Sequence, residues 1–146
     1  MTEPTTLDHS AADVLRVARQ IAEGRGEPCV TSPVLLVALT QAAEPPVRQA
    51  LAGFGLGRTE AQTWLDTAVG PVPTPAPFDD TSPYAQRTAA ILEMANAEAL
   101  DAGSPVVRSR DILFGILREA HAATGIVGAA LLACGATHGA LRAALG

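Results

Sequence analysis

Cys134 and His138 stand one helical turn apart, a spacing that puts a thiol and an imidazole on one helix face, where they could act as nucleophile and base. Cys134 falls at a predicted helix end just before Gly135, however, and no third group to orient the pair is evident, so a packing thiol is the better reading. The run Gly53-Phe54-Gly55-Leu56-Gly57 has the look of a nucleotide loop, yet G-x-G-x-x-G requires glycine where Arg58 stands. It also follows a predicted helix rather than a strand, which makes it a helix C-cap. The phosphate-binding pattern G-x-x-x-x-G-K-[ST] is absent. None of His9, His121 and His138 has a histidine partner at i, i+4, so they read as exposed or capping residues rather than metal ligands. Arg108 and Arg110 form a small basic spot, open to an acidic partner or merely solvated. These residues predict a chain that is not an enzyme and holds no cofactor or metal.

Composition narrows the partner. The 146 residues suit a single domain that buries roughly two-thirds of its unfolded surface, and a hydrophobic fraction of 48%, much of it alanine, supports a helical core. A net charge of −5 opposes a phosphate backbone, and only Phe54, Trp64, Phe78, Tyr84 and Phe114 are aromatic, too few for a base-stacking platform. Nucleic acid is therefore excluded as the partner. No window approaches 18 consecutive apolar residues and the N-terminus lacks an apolar stretch, so neither a membrane span nor a secretory signal is predicted. Cys29 and Cys134, far apart and without a CxxC pair, read as reduced thiols of a cytoplasmic protein.

The elements that must position these residues occur twice. Gly26 and Gly103 stand 77 residues apart, and the same offset carries Val14-Leu15 onto Ile91-Leu92 and Ser32 onto Ser109; later the register slips to 80, matching Leu56 with Ala136 and Leu65 with Leu145. In the first unit Leu7, Ala11, Val14, Leu15, Ala18 and Ile21 paint one helix face. Ser32-Pro33 then caps and starts a second helix, apolar on every side and so central. Pro45-Pro46 starts a short third helix, and Thr59-Glu60 opens a fourth. In the second unit Ser82-Pro83 is read as the start of a long helix ending at Gly103, Ser109 as the cap of the next, Ile126 to Leu132 as the third, and Thr137 as the start of the last. The expectation is an all-α fold of about eight helices in two tandem four-helix repeats, 5–70 and 80–146, within one domain spanning 1–146. The proline-rich stretch 71–79 between them should be a stiff, extended linker.

This order, spacing and duplication resembles the N-terminal domain of Clp-family AAA+ unfoldases of the ClpA and ClpC type. In that family each second helix opens with G-T-E-H-[IL]-L-x-[GA]-L. The stretches Thr31-Ser32-Pro33-Val34-Leu35-Leu36-Val37-Ala38-Leu39 and Arg108-Ser109-Arg110-Asp111-Ile112-Leu113-Phe114-Gly115-Ile116 are similar in their apolar halves and differ in their polar halves. The resemblance implies a non-catalytic module that receives adaptors and substrates. In some ClpC-type members it also binds phosphoarginine through the Glu of the motif, and certain cyclic peptides between the first helices. Pro33 and Arg110 occupy the Glu positions, so phosphoarginine binding is expected to be lost or much weakened. Of the cyclic-peptide site, Tyr84 and Glu93 align with an aromatic and an acidic position, whereas Ala89 and Pro4 replace a basic and an aromatic one.

The resemblance implies a binding module, and the lost polar residues of the motif favour a stand-alone Clp N-domain-like member acting as adaptor, regulator or decoy by occupancy alone. Its expected partners are a Clp unfoldase or the protease core, adaptor or substrate proteins, and cyclic peptides that it would sequester. The alternative is the substrate-receiving segment of a full-length unfoldase. The binding surface is expected at the pseudo-twofold seam, from Leu7, Asp8, Tyr84 and Arg87 before or within the first helices, with Glu93 further on, and from Ser32, Ser109 and Arg110 at the second-helix starts.

Overall fold

The computed structural model describes residues 6–122 and 126–145. Its helices are α1 (His9–Arg25), α2 (Ser32–Ala42), α3 (Pro45–Gly53), α4 (Arg58–Trp64), α5 (Gln86–Asp101), α6 (Ser109–Ala122), α7 (Ile126–Ala133) and α8 (His138–Leu145). The first four and the last four form the two repeats. Their starts differ by 77 residues for α1/α5 and α2/α6, and by 80 for α4/α8.

The cores obey the same offsets. Val14, Leu35, Leu36, Leu39 and Leu51 are fully buried, and so are their counterparts Ile91, Ile112, Leu113, Ile116 and Leu131. Burial of each such side chain stabilises the fold by about 1.5–3 kcal/mol. In α2 every residue from Val34 to Thr40 is buried, as its unbroken apolar sequence requires. α2 and α6 form the centre, with α1 on α2, α5 on α6, and weaker packing of α1 on α6 and α5 on α2. The tightest crossing is α5 on α6. A Cβ at Gly115 would lie 2.5 Å from the Ile91 carbonyl oxygen, so glycine in mid-helix is what lets these two backbones meet.

The repeats are joined by an exchange of backbone hydrogen bonds that sequence periodicity does not reveal. Ahead of α1, Leu7 pairs in parallel with Val107; ahead of α5, Tyr84 pairs in parallel with Val30. Asp8 N–H donates to Val107 O (2.9 Å) and Val107 N–H to Thr6 O (2.9 Å); equivalently, Ala85 N–H donates to Val30 O (3.0 Å) and Val30 N–H to Pro83 O (2.7 Å). Each repeat thus contributes its leading segment to the turn between the first two helices of the other.

Four sequence readings are corrected here. Ser82-Pro83 does not open a helix: the Pro83 carbonyl is used by Val30, and α5 begins only at Gln86, with Ala85 as its cap residue. Leu7 likewise lies outside α1, whose N-cap is Asp8, accepting from Ala11 N–H at 2.8 Å. Ser32 is the first residue of α2 rather than its cap, a position held by Thr31. Nor does Thr59 open α4: Gly57 is its cap residue, and its end widens into a π-helical turn, Leu65–Val69, closed by Gly70 N–H on Leu65 O at 3.0 Å.

The stretch after Gly70 runs over repeat one. Ala76 N–H donates to Gly26 O and Asp79 N–H to Pro28 O, both at 2.7 Å, while Arg25 Nη2 donates to Gly70 O at 2.7 Å. Gly26, left-handed at φ 77°, ends α1 directly beneath Pro75. Among the described residues, no single helix is long and apolar enough to cross a membrane.

Candidate functional site

The pseudo-twofold divides the residues proposed from sequence between two equivalent ends of the seam. Leu7, Asp8, Ser109 and Arg110 gather at one end. Tyr84, Arg87 and Ser32 occupy counterpart positions at the other, and Glu93 lies exposed along α5.

At the first end the start of α6 is tied into three other helices. Ser109, fully buried, does not cap its own helix as expected. Its hydroxyl accepts from Glu44 N–H (2.9 Å) at the head of α3, donates to Glu44 Oε2 (3.2 Å), and lies 3.0 Å from Ser10 Oγ on α1. Ser10 Oγ in turn donates to Asp8 Oδ1 at 2.8 Å. The N–H of Arg108, the residue just ahead of α6, is satisfied from inside the first turn by Asp111, whose Oδ2 accepts it at 2.8 Å while its two oxygens take the Arg108 guanidinium in a fork, at 3.0 and 3.1 Å. That hydrogen bond, with the charge of the nearly buried Asp111, raises the Arg108 pKa above the usual guanidinium value.

Arg110 extends the network. Its Nε and Nη2 donate to Glu44 Oε1 at 3.0 and 2.7 Å, and its Nη1 reaches Leu145 O at 3.5 Å. The expected open basic spot is therefore two partly buried ion pairs, because each guanidinium is neutralised by a carboxylate. Pairs this sheltered are costly to break from one side, since the remaining charge is left without a partner.

The other end keeps aromatic surface. Tyr84 is half-buried against the core, with Arg19 of α1 near its hydroxyl; burial raises its pKa above the ordinary phenol value and Arg19 opposes the rise. Arg19 lies over the Phe78 ring, 4.6 Å from its centroid, and pairs with Asp80 and with Glu23 (3.5 Å). Phe78 and Arg19 thus form a cation–ring pair, with Tyr84 close enough for Arg19 to act on its hydroxyl. Arg87, exposed at the start of α5, pairs with Glu119 at 3.5 Å. Ser32 is buried at the head of α2, where Thr31 Oγ1 donates to Glu27 Oε1 (3.2 Å) and Arg25 Nε to Glu27 Oε2 (2.6 Å).

Sequence reasoning missed Ser10, Glu44 and Asp111 at the first end, and Arg19, Phe78 and Asp80 at the second. Glu44 stands just before Pro45-Pro46, a helix-start signal, but its partners lie 65 and 66 residues away. His138 Nε2 is turned toward Arg142 (3.4 Å) and Glu98 (3.8 Å), away from the role of base to Cys134. Burial, with Glu27 and Asp79 nearby, raises the Cys29 thiol pKa, so it is a poor nucleophile. Among the described residues no cluster of His, Cys, Asp and Glu is able to hold a metal ion. Pro4 and the side chain of His121 lie outside the described residues.

Comparison with known proteins bears on this geometry as a whole. Residues 6–130 match the sequence model of the Clp repeat N-terminal domain. Among solved structures, the N-domain of ClpV from Vibrio cholerae is similar over 87% of this chain and 75% of that one, with a TM-score of 0.65 and 19% sequence identity. Among curated proteins none matches.

Proposed function

Because the chain belongs to the Clp repeat N-terminal domain family, we propose that it is a non-catalytic protein- and peptide-binding module of the Clp system, working by occupancy as adaptor, regulator or decoy. The observation that carries this reading is that the family match covers the first repeat, the exchange that joins the repeats, and the second repeat as far as α7. The surface with the best claim to the partner is the Phe78–Arg19–Tyr84 corner. It combines two partly buried rings with a cation already held in place, and such rigid aromatic anchors supply most of the energy of many interfaces.

The opposite end of the seam bears on phosphoarginine. Where the family presents a glutamate to an incoming guanidinium, this chain presents Arg110, itself a guanidinium, already engaged by Glu44 at 2.7 Å. The site is occupied by the protein's own side chain, which supports loss of that ligand. Sequestration of cyclic peptides is the second reading, supported by the retained Tyr84.

Isothermal titration against a purified ClpC-type unfoldase, a cyclic peptide that targets such unfoldases, and free phosphoarginine separates these readings. Micromolar binding of the unfoldase, with no heat from phosphoarginine, is the expected result. Binding of the cyclic peptide alone would shift the assignment to sequestration, and silence toward all three would remove the Clp pathway.

A further inference from the structure

The two repeats differ most sharply where α6, α7 and α8 meet. Val47 and Leu51 of α3 are matched, 80 residues on, by Val127 and Leu131 of α7, and all four are buried. Between them, repeat one carries Arg48, whose Nε donates to Ala43 O at 2.9 Å, so that its long side chain lies back over the head of its helix. The counterpart of Arg48 is Gly128, which has no side chain to lay there. Two further replacements act in the same direction. Buried Leu56 becomes Ala136, removing volume, and exposed Ala52 becomes Leu132, which adds an apolar wall that is 71% exposed.

The result is a cleft of about 110 Å³, lined by Leu117, Leu131, Leu132 and Ala136 with Thr137 and His138, and by Gly128 where repeat one has its arginine. A cavity of about 150 Å³ accepts benzene, so this volume suits one aliphatic side chain better than an aromatic ring.

A cationic group stands beside it. Glu98, its side chain 8% exposed, receives Arg142 Nη2 at 2.9 Å and Arg118 Nη1 at 3.4 Å, one carboxylate between two guanidiniums. Arg142 is further fixed over the Phe114 ring, 4.2 Å from its centroid, and by its contact with His138 Nε2 at 3.4 Å. His138 therefore belongs to both the cleft lining and the charged group. With its guanidinium held in place and its side chain 52% exposed, Arg142 offers a pre-oriented donor set to solvent, and the local surplus is one positive charge on a chain of net −5. Repeat one has none of this: Ile21, Gln41 and Gln62 occupy the positions of Glu98, Arg118 and Arg142.

We infer that repeat two carries a peptide-docking cleft at these substituted positions, and that its occupant is an acidic segment of a partner protein, with one aliphatic side chain in the cleft and an adjacent carboxylate on Arg142. The assignment rests on charge complementarity and on repeat-to-repeat substitution, and it is separate from the seam and from the Clp reading. A failure of unfoldase binding would leave it standing, and its own failure would leave the seam untouched.

The test is an amide-resolved NMR titration of the full chain with a capped six-residue peptide bearing two leucines flanked by glutamates. Versions carrying glutamine or arginine in place of glutamate are run beside it. The expected result is saturable shifts at residues 117, 128–138 and 142 in the millimolar range or tighter, at least fivefold stronger for the glutamate peptide than for the glutamine one, and absent for the arginine one. Gly128→Arg, which copies repeat one, should weaken binding at least tenfold. Leu132→Ser, at an exposed position that folding does not depend on, should do so several-fold, and Arg142→Gln should abolish the preference for glutamate over glutamine. Shifts centred elsewhere, no saturation, equal binding of all three peptides, or concentration-dependent broadening at the cleft without peptide would each overturn the assignment, the last in favour of a second copy of this chain.

Discussion

The second helices of the two repeats hold the same place in the core and begin in opposite ways. α2 opens with Thr31-Ser32-Pro33-Val34, and the side-chain hydrogen bonds beside it stay within repeat one, between Thr31, Glu27 and Arg25. α6 opens with Arg108-Ser109-Arg110-Asp111, and from those four residues hydrogen bonds run to α1, to the head of α3 and to the end of α8. The apolar halves of the two helices were kept alike because each fills the same central slot. The polar halves diverged because only α6 uses them to hold the repeats together. Repeat one is secured instead by the proline-rich strap lying over Gly26. A duplicated fold can thus keep one core design while giving its two copies different fastenings.

That contrast can be broken at several points. The largest effect is expected at Gly115, whose counterpart in α2 is Ala38. A methyl group there would meet the Ile91 carbonyl oxygen at 2.5 Å, so Gly115→Ala should destabilise by about 3 kcal/mol in a denaturant titration, against the general preference of helices for alanine. A loss below about 1 kcal/mol would mean that α5 and α6 can move apart freely.

Next comes the strap, where Gly26 and Gly103 provide an internal control. Both are left-handed, at φ 77° and 72°, but a Cβ on Gly26 would lie 2.6 Å from the Pro75 Cβ, whereas one on Gly103 would meet nothing within 4 Å. Gly103→Ala should cost about 1 kcal/mol from backbone strain alone, and Gly26→Ala about 2–3 kcal/mol. Equal losses would show that the linker does not press on the first repeat.

Glu44→Ala tests the polar fastening. It strands the Arg110 guanidinium and removes one partner of the buried Ser109 hydroxyl, and a loss of about 2 kcal/mol is expected, less than for a fully buried pair because both side chains retain some exposure. Indifference of the midpoint to this change would make the α6 network ornamental.

The smallest effect concerns the two exchanged segments, where exposed Leu7 faces solvent and its counterpart Tyr84 is half-buried. Tyr84 is the single tyrosine, so phenolate absorbance reports it alone. Its midpoint should lie above the ordinary value of about 10 in the folded protein and return to it in urea. The sign follows from the raised folded-state pKa: this group's contribution to stability is complete below the unfolded value and is lost as pH rises through the folded one. Arg19→Gln should raise the midpoint further, and an unmoved midpoint would detach Arg19 from the ring.

Much of this architecture is legible in the sequence alone. The 77- and 80-residue offsets, the apolar stripe of α1, the all-round apolar character of α2 and the glycines that end helices report local geometry, and local geometry is written in adjacent residues. Reading failed where a residue's role depended on a distant one. Ser82-Pro83 has the local signature of a helix start, but the Pro83 carbonyl is claimed by Val30 from the other repeat. Ser109 has the signature of a cap, but its hydroxyl is taken by Glu44. The candidate binding residues stand out one at a time in the sequence. Their grouping was not readable, because the twofold sends Leu7 and Tyr84 to opposite ends of the seam.

By itself, then, the chain determined its helices, their duplication and the apolar faces that had to be buried, since periodicity, caps and breakers act over a few residues. The tertiary structure decided which polar groups became fastenings and which remained surface: Arg110 was neutralised by Glu44, Gly26 was covered by Pro75, and Arg142 was left half-exposed beside a cleft. The physical reason is that a charge or hydroxyl gains or loses several kcal/mol according to whether a partner meets it out of water. That meeting is arranged by packing between segments far apart in the sequence.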